Sequence, residues 1–459
     1  MLLTDMVKNM KKTSLLFIIS VVTFMFMIPS VYAEEAVDTW DTLSACLSSL
    51  ESKTCKLSKN IEAEAGKNYI FMKNTGDKTL DLGGFTLSMS QVIYTNSVLN
   101  ITGNSAGKII GPNNQHFMIM AMQGGTLDIK NITLEAQTGE TCGGKKCEGQ
   151  AISISGINNK VTVESTATIN AGYGVMFQAY NEHYDQGGMG SVLNFYGTIN
   201  VTTSTGTGIT IKGDITGGKH IISENAPVVN VYSGAKIISE QTEAIYGAGY
   251  GFYNIKGGYI QGTGALSIKS GVYNITGGTL KATGSYNPNP EVNGSGSEST
   301  GAAVSITSND TYDGHIKVFI SGNPQLISEH GNALYETLTN SSNTKVEEIK
   351  ISGGDFESAK GIASVLISDE LQDHNKNFIS GGDFSEPLST NYIAENLIQD
   401  ENGNVVAKNS TELPSTTNSD VDDTLNPDTA DVNLIVCIIL IIASICAVGY
   451  VIKKRYSTK

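Results

Sequence analysis

Two short patterns alternate along most of the chain, and this alternation limits the possible fold more than any other feature. The first is an apolar–polar alternation that turns on a glycine pair. It reads Tyr253-Asn254-Ile255-Lys256-Gly257-Gly258-Tyr259-Ile260 and Tyr273-Asn274-Ile275-Thr276-Gly277-Gly278-Thr279-Leu280. It returns as Ile349-Lys350-Ile351-Ser352-Gly353-Gly354-Asp355-Phe356 and Phe378-Ile379-Ser380-Gly381-Gly382-Asp383-Phe384. Looser copies centre on Leu82, Ile101, Ile129, Val163, Phe195, Val231 and Ile320. The second pattern is one or two small residues followed by an apolar alternation. Examples are Ala151-Ile152-Ser153-Ile154, Gly208-Ile209-Thr210-Ile211, Ala265-Leu266-Ser267-Ile268 and Ala303-Val304-Ser305-Ile306.

Period-two alternation describes short strands with one buried face. Glycine pairs supply the left-handed backbone of tight corners. No helical periodicity separates the strands, so the connections are not the helices of βαβ units. First-pattern centres recur about every 30 residues, a spacing that marks a repeat architecture. The steps vary in length, as expected when loops bulge from coils of fixed size. Coils of two or three short strands, each stacked on its neighbour, make a parallel β-solenoid. About eleven coils at roughly 4.8 Å each predict a rod about 50 Å long. An array of β-sandwiches is the competing arrangement, but sandwiches use longer antiparallel hairpins and would not keep the two-part alternation.

An open coil is an exposed strand edge, so both ends of a solenoid need covers. Trp40, Leu43, Leu47 and Leu50 fall on one face of a short helix with Thr39 as N-cap, which predicts a helical cap over residues 34–57. Cys46 on that helix and Cys55 beyond it can pair, and Cys142 and Cys147 bracket a second short loop. In an exported chain two local disulfides, 46–55 and 142–147, are the simplest reading. The coils occupy residues 58–398. Residues 399–425, rich in Ser, Thr, Asn and Asp towards their end, read as a flexible stalk.

The two ends carry address signals. Lys8, Lys11 and Lys12 precede the apolar run Leu15 to Pro29, and Val31-Tyr32-Ala33 follows with small residues at the cleavage positions. Residues 1–33 therefore read as a signal peptide, with signal peptidase as partner. Val432 to Ile452 is an almost wholly apolar run, long enough for a transmembrane helix across a bilayer of about 30 Å. Lys453, Lys454 and Arg455 follow within the basic tail 453–459, which the positive-inside rule places in the cytoplasm. Just before the span stands Asn426-Pro427-Asp428-Thr429-Ala430. Pentapeptide, span and tail together resemble the sorting signal of Gram-positive surface proteins, in which sortase cuts after the threonine of a Leu-Pro-x-Thr-Gly-type motif. Asn426 stands for the leucine and Ala430 for the glycine. The resemblance implies extracellular display through sortase, with peptidoglycan as acceptor.

The opening helix, Leu80-Asp81-Leu82-Gly83-Gly84-Phe85-Thr86-Leu87 and the Ile-Ser-Gly-Gly coils resemble the pectate-lyase-like β-helices of Firmicutes surface proteins, over residues 38–398. This resemblance implies an all-β, right-handed parallel β-helix. Relatives with this fold include polysaccharide lyases, which use an arginine or lysine base beside calcium-binding carboxylates, and polygalacturonases.

Charge narrows the functional classes. Residues 34–430 hold 23 lysines, no arginine and 43 acids, a net charge of −20; the one arginine is Arg455. Such a chain repels nucleic acid, suits polyanionic pectin poorly and lacks the bidentate guanidinium fork. The polygalacturonase signatures Asn-Thr-Asp, Gly-His-Gly and Arg-Ile-Lys are absent from residues 34–430. The balance points to a non-enzymatic adhesin that binds a glycan or protein through loops 136–149, 177–190 and 283–302. The alternative is a glycoside hydrolase or lyase of the same fold.

Asp355 and Asp383 occupy the same place in successive repeats and should stack about 5 Å apart, near the carboxylate spacing of a retaining glycosidase. Like-charge repulsion would raise one pKa, and the pair could serve catalysis or hold calcium. The loop carrying Glu182, His183, Tyr184 and Asp185 is the densest polar-aromatic group and a candidate sugar or metal contact. Tyr246, Tyr250 and Tyr253 read as wall packing and surface ladder.

Overall fold

The computed structural model describes residues 33–113, 117–138, 148–178, 188–213, 222–293 and 296–408. The chain is nearly all β, and its strands form long parallel sheets stacked coil upon coil. A typical coil contributes three strands. Thr126–Ile129, Lys160–Val163, Val192–Phe195 and Val228–Val231 belong to a first row. Thr133–Glu135, Thr168–Ala171, Thr198–Val201 and Lys236–Ser239 form a second. Gln150–Ser155, Tyr173–Gln178, Thr207–Ile211 and Ile245–Gly247 form a third. The third row is an eleven-stranded parallel sheet running from Ile70–Met72 to Val365–Leu366. That number equals the coil count expected from the repeat spacing.

The two sequence patterns map onto this geometry directly. The second pattern is the third row. The first pattern supplies the first two rows, divided by the corner at its glycine pair. In Phe252–Gly262, Val272–Ala282 and Val346–Glu357 both rows run through one strand whose register shifts at that corner. The two glycines of a pair have different jobs. The second takes a left-handed backbone, with φ of 92° at Gly258, 89° at Gly278 and 107° at Gly354. The first lets successive corners approach, because a Cβ on Gly353 would sit 2.5 Å from the carbonyl oxygen of Gly322.

Like residues stack along the rod because the register is fixed. Leu127, Val161, Leu193, Val229, Tyr253 and Tyr273 are successive partners on the inner side and are all fully buried. The rings of Tyr253 and Tyr273 stack 4.4 Å apart, and those of Phe356 and Phe384 stack 4.5 Å apart. The neighbouring line carries asparagines. Asn274, Asn254 and Asn230 each donate Nδ2 to Oδ1 of the previous asparagine, ending at Asn194, over 2.9, 3.0 and 3.1 Å. Each side-chain amide thereby finds a partner in the next coil.

Both ends are covered. Helix α1 (Trp40–Leu47) is capped by Thr39 in a reciprocal box with Thr42, and it buries Trp40, Leu43, Cys46 and Leu47. The cap is not helical over 34–57 as expected. The helix lies between strands Ala33–Val37 and Lys53–Leu57, which pair in parallel, and Leu50 falls beyond the helix and is 80% exposed. Cys46 and Cys55 form a disulfide; Cys142 and Cys147 lie outside the described residues. At the other end, helix α2 (Asp369–Gln372) closes the third row. An antiparallel pair, Leu397–Gln399 and Val405–Ala407, closes the first two. Gln399 Nε2 donates to the carbonyls of Phe384 and Glu386. Residues 399–408, expected as the start of the stalk, are therefore part of the folded body, which ends at Lys408. Of the expected signal peptide only Ala33, the first residue of strand Ala33–Val37, is described; residues 1–32, Asn426–Ala430, the apolar run and the basic tail lie outside the described residues. Among the described residues no helix is long and apolar enough to cross a membrane.

Candidate functional site

The outward side of the third row is the floor of a groove of about 910 Å³. Met176, Thr210 and Tyr246, partners in consecutive coils, lie along this floor. The walls come from inter-coil segments that include Glu148, Gln178, Asn293 and Gly296–Ser299. Glu148, Asn293 and Gly296–Ser299 fall in loops 136–149 and 283–302, Gln178 is the last residue of the strand Tyr173–Gln178, and Ser204–Gly206, Gln241–Glu243 and Thr311–Tyr312 line the groove from outside the three expected loops.

Aromatic rings dominate one part of the lining. Phe117, Tyr173, Tyr246 and Tyr312 all face the groove. Tyr246 and Tyr312 meet edge to face with centroids 6.4 Å apart, and their hydroxyls are 2.7 Å apart. Tyr173 donates its hydroxyl to the carbonyl of Thr205 at 3.1 Å. Burial holds the Tyr246 phenol far above its ordinary range, and Tyr312 adds to the shift. Burial, then the neighbouring Glu148, pushes Tyr173 up to about 12. These phenols stay protonated and act as neutral donors.

Polar groups complete the lining. Thr210 donates to the carbonyl of Tyr246 at 2.7 Å, and Gln178 donates to Ser153 Oγ at 2.7 Å. Two atoms are left over. The Thr207 hydroxyl and Glu148 Oε2 are buried and have no hydrogen-bond partner among the described residues. Unpaired buried polar atoms are uncommon and costly. Both residues line the groove.

Three further groups meet at one wall. Lys269 follows the third-row strand Leu266–Ile268 and is 1% exposed. Its Nζ is hydrogen-bonded to Oγ of Ser297, itself 5% exposed and part of the groove lining. Burial pushes the Lys269 amine down to about 8, with Glu243 acting in the opposite sense. Burial also raises the Glu243 carboxyl above its usual range.

The residues singled out from sequence are placed as follows. Asp355 and Asp383 are direct partners in the second row, in line with Tyr259, Thr279 and Gln325. Both are exposed and neither lines the groove. Asp355 is raised first by burial and then by Asp383. Glu182, His183, Tyr184 and Asp185 lie outside the described residues, although Gln178, where their loop departs, lines the groove. Tyr253 is wall packing, and Tyr250 packs edge-on against Phe252. Tyr246 departs from the expected packing role, because its place in the third row turns it into the groove. Lys269, Glu243 and Ser297 were not anticipated. Lys269 does continue the alternation Leu266-Ser267-Ile268 on its outward phase, which was the available signal. Among the described residues no three His, Cys, Asp or Glu side chains converge as a metal site.

Comparison of the chain with protein-family models, with curated proteins and with solved structures returns no match.

Proposed function

We propose that this protein is a cell-surface rod, a right-handed parallel β-helix, that binds neutral glycans in the groove along its third row. The carrying observation is the lining itself. Aromatic rings stand beside amides and hydroxyls, among them the Thr207 hydroxyl, which has no hydrogen-bond partner among the described residues. Sugars present apolar C–H faces that pack on aromatic rings and hydroxyl edges that need hydrogen bonds. The net charge of −20 over residues 34–430, without arginine, favours a neutral ligand over a polyanion. Right-handedness follows from the near-universal hand of parallel crossovers.

In this reading signal peptidase releases residues 1–33, and sortase joins Thr429 to peptidoglycan after the span holds the chain at the membrane. The full chain is tested on an array of neutral and acidic glycans. Binding to neutral members is expected, and Tyr246→Ala should weaken it about 30-fold, as for a central aromatic contact. An array on which no neutral glycan binds would remove the reading. For the anchor, Thr429→Ala should move the protein out of the cell-wall fraction. Unchanged wall attachment would show that sortase does not act there.

A further inference from the structure

We propose that Ser297 and Lys269 form a nucleophile–base pair that transfers acyl groups from esters entering the groove. That the ester is an acylated sugar rests on the glycan reading; the pair itself does not.

The argument begins with what a buried lysine needs. An ammonium carries three N–H donors and no acceptor, and burying it without partners is costly. Among the described residues, Ser297 Oγ is the only hydrogen-bond partner of Lys269 Nζ, and no carboxylate forms an ion pair with it. Lys78 shows the other solution. It is equally buried, and its Nζ donates to the carbonyls of Ser49, Glu51 and Gly76 at 2.9, 2.5 and 2.9 Å. Three carbonyls accept from an ammonium and cannot donate to an amine, so Lys78 is held as a cation. A hydroxyl can do either. The Ser297 hydroxyl can donate to the lone pair of a neutral Lys269, which is the arrangement a general base requires. Burial favours that neutral form and places its titration near physiological pH. Glu243, in the preceding coil, acts on the amine through its charge. Tyr246, whose phenol burial keeps neutral, Tyr312 and Glu298 are further titratable groups on this wall.

The position of the pair also suits the chemistry. Ser297 lines the groove and the Lys269 amine stands one hydrogen bond behind it, so an ester in the groove meets the hydroxyl first and the amine directly beside it. Lys269 Nζ takes the hydroxyl proton as Ser297 Oγ bonds to the ester carbonyl carbon. The tetrahedral intermediate expels the alcohol, which receives the proton back from Nζ. Water, deprotonated by the same amine, then hydrolyses the acyl-serine and restores both side chains. The sum is ester plus water to acid plus alcohol, with no redox change and no cofactor. Serine–lysine pairs are an established variant of the nucleophile–base constellation.

The test uses the full chain and a fluorophosphonate probe. Ser297 Oγ displaces fluoride from phosphorus, and mass spectrometry locates the adduct. An adduct on Ser297 is expected, with a labelling rate that rises through about pH 8 and then levels, as the amine loses its proton. Ser297→Ala should abolish the adduct, and Lys269→Met should slow labelling by about 100-fold or more. If the Lys269 variant does not fold, the wild-type pH profile decides alone. No adduct on Ser297 at pH 9, or a rate that is flat between pH 6 and 10, would overturn the proposal. Glycan binding by the same preparation is an independent readout. Labelling without glycan binding sinks the groove reading and keeps the pair, and glycan binding without labelling does the reverse.

Discussion

The two lysines buried among the described residues sit in parts of the molecule built for different ends. Lys78 lies where the N-terminal cap meets the first coils, beside the carbonyls that follow helix α1. Its aliphatic stem is core and its ammonium is a cap, satisfying in one stroke three carbonyls that no strand pairs. Lys269 lies in the middle of the rod, where the coils repeat and the backbone is already satisfied by the register of the third row. Nothing there requires a cation. Burial lowers the pKa of both amines, yet the same desolvation serves a structural staple in one place and leaves a reactive group in the other. The difference teaches that burial alone does not assign a lysine its role; the number of acceptors at its nitrogen does.

The sharpest way to break this comparison is to remove both charges. Lys78→Met takes the ammonium donor from the part-buried carbonyls of Ser49, Glu51 and Gly76, of which only Glu51 keeps another partner, the Ser49 hydroxyl, at a cost of about 2–4 kcal/mol in total. Lys269→Met removes a poorly satisfied amine and keeps the packing of its stem, so its cost should stay below about 1 kcal/mol. Chemical denaturation of the two variants measures both. A Lys269 variant destabilised as much as the Lys78 variant would make Lys269 a structural residue. Because contacts in a solenoid are to nearest neighbours, loss of Lys78 should loosen the cap before the distant coils. Hydrogen exchange read residue by residue would show protection lost first around residues 49–57.

A second contrast separates glycines that the coil stacking requires from those that a turn alone requires. Gly278 and Gly66 both have left-handed backbones, with φ of 89° and 84°. A Cβ on Gly278 would lie 2.7 Å from the Gly258 carbonyl oxygen of the previous coil, whereas a Cβ on Gly66 would meet nothing within 4 Å. Gly66→Ala should cost about 1 kcal/mol from backbone conformation alone. Gly278→Ala should cost about 2–3 kcal/mol, since the corner must also separate. Equal effects at the two positions would mean that the corners do not touch as closely as drawn.

The same distinction explains what the sequence could and could not reveal. The coils were legible because a solenoid writes its register into the chain. Tyr253 and Tyr273, twenty residues apart, stack because each sits at the same place in its repeat, and glycine pairs mark several such corners. The stacked acids Asp355 and Asp383 were legible for the same reason. The groove was not, because it is built across the repeat. Tyr246 reaches Tyr312 over 66 residues, and Lys269 reaches Ser297 only because an inter-coil loop folds back over the third row. Loop return is a tertiary event with no periodicity to announce it. The C-terminal cover was missed on similar grounds. Leu397–Gln399 and Val405–Ala407 are too short to stand out from a polar stretch, and they gain order from Phe384 and Glu386. The absence of arginine argued against lyase chemistry on polyanions, but it says nothing about a pair that needs only a serine and a lysine.

The last expected effect is a slope, and it bears on Lys269. In the unfolded chain Lys269 titrates near the ordinary value of about 10.4, whereas in the folded protein burial brings it down to about 8. Between those values the unfolded state binds more protons than the folded one, so stability rises with pH there. Below pH 8 both states hold the proton and the penalty is fully present; above about 10.4 neither does and the penalty is gone. The gradient cannot exceed that of one proton, about 1.4 kcal/mol per pH unit. Urea midpoints of the full chain measured from pH 7.5 to 10 should carry this contribution, and Lys269→Met should flatten it. A difference between wild type and variant that does not change with pH would mean that Lys269 keeps an ordinary pKa in the folded rod. The contrast with Lys78 would then be one of geometry without chemistry.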